Sequence, residues 1–193
     1  MLEERRQALL KALTDNDEEV RQAAAASLDL LECTLDLPQI LATLKNPARG
    51  QRMRALFALE KIHSPQAYPV LLAGLKSSDP DLRSAAVQIL GRKKHPKTIE
   101  HLLPLLKDPH SAVRAHAAEA LAQFADRRLV PYLAQACRDA DMEVARSATQ
   151  GLGTIGAAEG EPTLLALLSD PRPAIRREAA TALGRLDIPV ANP

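Results

Sequence analysis

One spacing governs this chain. Leu28, Leu59, Leu90, Leu121, Leu152 and Leu183 follow one another at steps of 31 residues, and Ala24, Ala55, Ala86, Ala117, Ala148 and Ala179 keep the same step without insertion or deletion. Self-similarity at a period of this size marks a stacked repeat: a unit too small to bury its own apolar face is repeated until neighbours bury it for one another. Six copies fit into the 193 residues, at about 3–33, 34–64, 65–95, 96–126, 127–157 and 158–188, and the chain is expected to form one domain over 1–193.

Within each copy the apolar spacing is helical. In the fourth, Ile99, Leu102, Leu103 and Leu106 make one stripe, Asp108-Pro109-His110-Ser111 a turn, and Val113, Ala117, Ala120, Leu121 and Phe124 a second stripe. Each repeat is therefore expected to be a pair of helices. Pro38, Pro69, Pro131 and Pro162 fall in the first turn of first helices, where a missing N–H costs little. Asp17, Asp79, Ser111 and Asp141 are capping candidates for the second helices. Pro104, by contrast, lies in the middle of a first helix and is expected to kink it or delay its start. With no Trp, two Phe and two Tyr, the core must be built from Leu, Ala, Ile and Val. Cys137 stands in a leucine column (Leu13, Leu44, Leu75, Leu106, Leu168) and reads as a small buried hydrophobe.

The net charge of +1, from 25 basic and 24 acidic side chains, supplies no global field for a nucleic acid or an anionic membrane. Cys33 and Cys137 fit no metal or CxxC spacing and read as reduced thiols. The Met1-Leu2-Glu3-Glu4-Arg5-Arg6 start lacks the apolar stretch of a signal peptide, and no apolar run approaches the length of a membrane span. A soluble, cytoplasmic protein is the expectation.

The column pattern, roughly D-x-x-x-x-V-R-x-x-A-A-x-A-L-G, resembles the HEAT repeat in the short form named after the phycobilisome-lyase proteins, most closely over Asp108 to Phe124, Asp139 to Ile155 and Asp170 to Leu186. Repeat two departs from it with Gln51 in the Val column, and repeat five with Ala145 in the Arg column. The resemblance implies an all-α fold, a right-handed α-solenoid of six two-helix HEAT-like repeats, with the second helix of each pair lining the concave face. The Arg column (Arg21, Arg52, Arg83, Arg114, Arg176) runs with Asp15, Asn46, Asp108, Asp139 and Asp170, and is expected to form a structural ladder between repeats.

On that concave face four columns lie outside the apolar stripe. They hold six cations (Arg54, Lys61, Arg92, Arg146, Arg177, Arg185) against Glu119 and Glu178, which makes the groove mildly basic. Met53 and Phe57 stand one helical turn apart in columns that are mostly small or polar elsewhere, either as apolar anchors for a partner or as core of a slightly rotated helix. Gln88, His116, Glu119 and Gln150 complete the candidate partner-binding set.

No constellation of catalytic residues emerges. The five histidines, His63, His95, His101, His110 and His116, are scattered, and the chain lacks the His-Glu dipeptides that resemblance to deoxyhypusine hydroxylase would require. Gly153 and Gly184 belong to the repeat and not to a phosphate loop. The reading is a non-enzymatic scaffold or adaptor, without cofactor or metal, that holds a protein segment of acidic or amphipathic character. The alternatives are a bilin lyase-like subunit acting on a phycobiliprotein, or nucleic-acid backbone binding, which the absence of Trp and the two groove glutamates disfavour. The C-terminal end, with Leu186, Ile188 and Val190 apolar, is an expected self-association surface.

Overall fold

The computed structural model describes residues 1–186 apart from 36, 45, 47, 63 and 64, and gives the backbone alone for 33–35. His63 and the C-terminal Ile188 and Val190 therefore lie outside the described residues. All regular structure among the described residues is helical. The chain divides into two compact units, 1–73 and 74–193, which are taken in turn.

The first unit carries α1 (Leu2–Ala12), α2 (Glu18–Leu35), α3 (Leu37–Thr43), α4 (Arg49–Ala58) and α5 (Ala67–Gly74), the last ending where the units divide. Sequence neighbours pack on one another, α1 on α2, α2 on α3 and α3 on α4. Leu59, Ile62, Ala67 and Leu71 are fully buried, whereas α1 has no fully buried residue.

The second unit contains α6 (Pro80–Lys93), α7 (Ile99–Leu102), α8 (Ser111–Ala122), α9 (Val130–Ala136), α10 (Met142–Ile155), α11 (Glu161–Leu167) and α12 (Pro173–Leu183). The second helices pack in series, α6 on α8, α8 on α10 and α10 on α12, and the first helices α9 and α11 lie against α10 and α12. Leu133, Cys137, Ala148, Leu152, Leu164 and Ile175 form one buried core between the two layers. Burial pushes the Cys137 thiol up to about 11, so it packs as a neutral hydrophobe.

Side chains at the helix starts follow the sequence with one correction. Asp17, Asp79 and Asp141 accept from backbone N–H groups of the first turns they precede. Ser111 does not cap: it is the first residue of α8, and His110 occupies the cap position without a side-chain bond. The loop there is held instead by Asp108, whose Oδ1 accepts from the His110 N–H at 2.8 Å. Pro104 breaks its helix as its missing N–H demands. The α-helix stops at Leu102, and the chain continues over Leu103–Lys107 as a 3₁₀ turn.

The Arg and Asp columns bond across repeats. Arg83 grips Asp108 through Nε and Nη2, both at 2.8 Å, and Arg114 grips Asp139 at 2.8 and 3.0 Å. Each guanidinium also donates from Nη1 to two carbonyls in the turn of its own repeat, those of Ser77 and Ser78 for Arg83 and of Asp108 and Pro109 for Arg114. One side chain thus ties its own turn to the next. Burial alone would raise the Asp108 carboxyl, but the bonds from Arg83 and the His110 N–H outweigh it and hold the group below the ordinary carboxylate range. Asp139 is held low chiefly by Arg114.

The helices approach closely where side chains vanish. A Cβ added to Gly91 would lie 2.8 Å from the Cα of Ala120, and one added to Gly153 would lie 2.8 Å from the Cα of Ala182. Between these crossings the order is reversed: Ala122 comes from the earlier repeat and Gly151 from the later, and a Cβ on Gly151 would sit 3.2 Å from that of Ala122. At each of these three crossings one partner is glycine and the other alanine.

Candidate partner-binding face

The second-helix layer of the 74–193 unit brings four of the candidate residues together. Gln88 and Arg92 on α6, with His116 and Glu119 on α8, line a pocket of about 270 Å³, joined by Gly91, Ala120 and Gln123. It is shallow because the Gly91–Ala120 crossing draws the two helices together. Gln88 and Arg92 are one turn apart on α6, as are Glu119 on α8 and Gln123 at its C-terminal cap, so two rows of polar tips border a floor of backbone and a methyl group.

Two of these tips are positioned by buried hydroxyls that the column reading did not single out. Ser84 Oγ meets His116 Nδ1 across the α6–α8 contact, and Ser147 Oγ donates to Glu119 Oε1 at 3.0 Å across α8–α10. Both serines are buried, Ser147 almost completely. Their signal was present in the sequence, since both are small polar residues in columns already assigned to this face. Their partners were not legible there, because the contacts join positions 32 and 28 residues apart, off the 31-residue register.

The remaining candidates are dispersed. Arg146, half-buried on α10, donates from Nε to Glu143 Oε2 at 3.1 Å, with Glu178 and Glu119 within electrostatic reach. Gln150, Arg177 and Arg185 are exposed along α10, α12 and the residues after it. In the first unit, Lys61 Nζ lies 3.3 Å from Asp29 Oδ2, and Arg54 lines a cleft between α3 and α4 with Gln39, Ile40 and Thr43. Phe57 is 38% exposed, whereas Met53 on the same helix is half-buried. The basic surplus counted in the columns is thus reduced: Lys61 and Arg146 each have a carboxylate partner that stands outside those columns.

Among the described residues no group of His, Cys, Asp and Glu is gathered closely enough to share a metal ion, and no helix is long and apolar enough to cross a membrane.

Comparison with known proteins agrees with the architecture. The family model for HEAT repeats matches residues 6–78, 68–150 and 130–193. The Escherichia coli protein YibA superposes with a TM-score of 0.68 at 18% identity, over 94% of this chain and 72% of that one. The complex of CpcE and CpcF of phycocyanin lyase from Nostoc sp. PCC7120 gives 0.64 at 20% identity, over 77% and 98%. A designed armadillo repeat protein in complex with the peptide (KR)4 gives 0.56 at 17% identity, over 93% and 98%. At these identities the likeness is one of fold. No curated protein matches the sequence. With three overlapping matches that span almost its whole length, the chain belongs to the HEAT-repeat family and has the fold of an α-solenoid.

Proposed function

We propose that the protein is a non-enzymatic scaffold that holds a segment of another protein along the second helices of the 74–193 unit. The observation that supports this most is the pocket between α6 and α8, where buried Ser84 and Ser147 fix the orientation of His116 and Glu119 beside Gln88, Arg92 and Gln123. Side chains held before binding lose less freedom when a partner arrives, which is how a small polar surface gains affinity. Gln88 and Gln123 offer amide groups that can both donate to and accept from a main chain, and Arg92 and Glu119 offer opposite charges. The set suits a polypeptide of mixed character better than a uniformly charged polymer. The cytoplasm is the compartment we propose for it.

A photo-crosslinking residue placed at Gln123 in the native host tests the reading. A discrete polypeptide adduct that disappears when Arg92→Glu and Glu119→Arg are introduced is the expected result. Absence of any adduct at Gln123 and at Gln88 would remove the proposal. A second reading, a bilin lyase-like subunit, is favoured only by the likeness of fold to CpcE and CpcF. A protein that stays colourless after incubation with a bilin and an acceptor phycobiliprotein would set it aside.

A further inference from the structure

A second cleft of the 74–193 unit lies off the second-helix face. It opens in the layer of first helices, between the 3₁₀ turn Leu103–Lys107 and α9, and its volume of about 810 Å³ exceeds the pocket of about 270 Å³ between α6 and α8. Its origin lies in Pro104. The equivalent position one repeat later is Gln135, inside the regular helix α9. A first helix that loses its α-geometry beside one that keeps it leaves space between them.

The chemistry of the cleft is uneven. Leu103, Pro104 and Leu106 form one wall, and Tyr132, 47% exposed, faces it from α9. Asp108 and Asp139, which also line it, are neutralised by Arg83 and Arg114 in the ladder. Lys107 and Arg138 remain at the rim. They occupy the same repeat position, both are exposed, and among the described residues neither has an ion-pair partner. The cleft therefore combines an apolar wall with uncompensated positive charge, a combination the α6–α8 pocket lacks.

We infer that this cleft is a second docking site, separate from the second-helix face, and that its occupant is a protein segment in which carboxylates flank a large apolar side chain. Two cations are too few to hold a nucleic-acid backbone. Opposite charge at the rim sets register and speeds encounter, while the apolar residue buried against Tyr132 and Leu103 supplies most of the affinity. Lys107 and Arg138 are one repeat apart, roughly 8–10 Å by helix packing. An extended chain covers that distance in about three residues. Because alternate residues of an extended chain share a face, the acids are expected two positions to either side of the apolar residue, a span that the long Lys107 and Arg138 side chains can reach.

A random-peptide display library panned on the full chain tests this. Enriched sequences should carry the acid–apolar–acid pattern. Fluorescence anisotropy of one such labelled peptide should show binding weakened about tenfold or more by Lys107→Glu with Arg138→Glu, a change of about 1.4 kcal/mol or more. The same peptide should bind unchanged to an Arg92→Glu, Gln123→Ala variant, with circular dichroism confirming that both variants fold. The inference is overturned if the enriched peptides are basic, if none is enriched, or if binding survives reversal of the rim charges. Loss of binding only in the Arg92, Gln123 variant would also overturn it while supporting the second-helix face.

Discussion

Arg172 closes a bidentate ion pair on Asp170, with Nε 2.9 Å from Oδ1 and Nη2 3.0 Å from Oδ2, and reaches back from Nη1 to the Asp139 carbonyl at 3.1 Å. That carbonyl and that carboxylate are the two groups an arginine at position 145 would hold, by analogy with Arg114 on the Asp108 carbonyl and Asp139. Repeat five has Ala145 there. Arg172 fills the gap from the following repeat, at a position where repeats three and five carry the capping residues Asp79 and Asp141, and α12 goes without a side-chain cap as a result. Arg172→Ala should cost about 1–3 kcal/mol in urea unfolding, because it leaves a partly buried carboxylate without its two guanidinium bonds. Ala145→Arg combined with Arg172→Asp, which restores the pattern of the other repeats, should recover most of the loss.

Gly91→Ala should destabilise by about 1–3 kcal/mol, although alanine is the better helix former, because the new methyl would press on the Ala120 backbone. Adding Ala120→Gly recreates the arrangement already present at Ala122 and Gly151 and should relieve most of the strain. Thermal melts of the single and double variants decide the matter, and a single variant as stable as the parent would contradict the crossing geometry.

Acid should loosen the second unit. Asp108, Asp139 and Asp170 all titrate below the ordinary carboxylate range in the folded state. Their contribution is complete above the unfolded value of about 3.9 and is lost as pH falls through the lower folded values. Unfolding free energy should therefore drop below about pH 4. In Asp139→Asn the drop should be shallower, starting from a lower plateau.

Cys137, with its thiol raised to about 11 by burial, should be inert in the native protein. In a Cys33→Ser background, a colorimetric thiol reagent at about pH 8 should find no fast-reacting group until denaturant is added.

Phe57 and Met53 should separate in thermal melts of their alanine variants. Phe57, 38% exposed, should tolerate alanine within about 0.5 kcal/mol of stability, whereas half-buried Met53 should lose more. If Phe57 serves as an anchor, its replacement should weaken partner binding by about 2 kcal/mol. A large fall in melting temperature for Phe57→Ala would place it in the core instead.

The repeat, its helix pairs, the Arg and Asp columns and the break at Pro104 were legible because each leaves a mark at a fixed interval or in a single residue's covalent constraints. The site was less so. A 31-residue register shows which residues are equivalent, but contacts between repeats connect non-equivalent positions, as Ser84 does with His116 and Ala122 with Gly151. Those offsets depend on how far one helix is displaced against the next. The pairing of Arg146 with Glu143 was missed for a simpler reason: the glutamate stands one turn away, outside the columns that were counted.

The alternation of glycine and alanine at the helix crossings gives the array a fixed order of assembly. Removing repeat five would leave the 31-residue register intact yet set Ala122 against Ala182, methyl against methyl at a crossing spaced for one. It would also deliver Arg114 to Asp170, which Arg172 already holds. Both contacts thus specify repeat five as the one that must precede repeat six, and a shortened chain that looks seamless in sequence should assemble poorly at that junction.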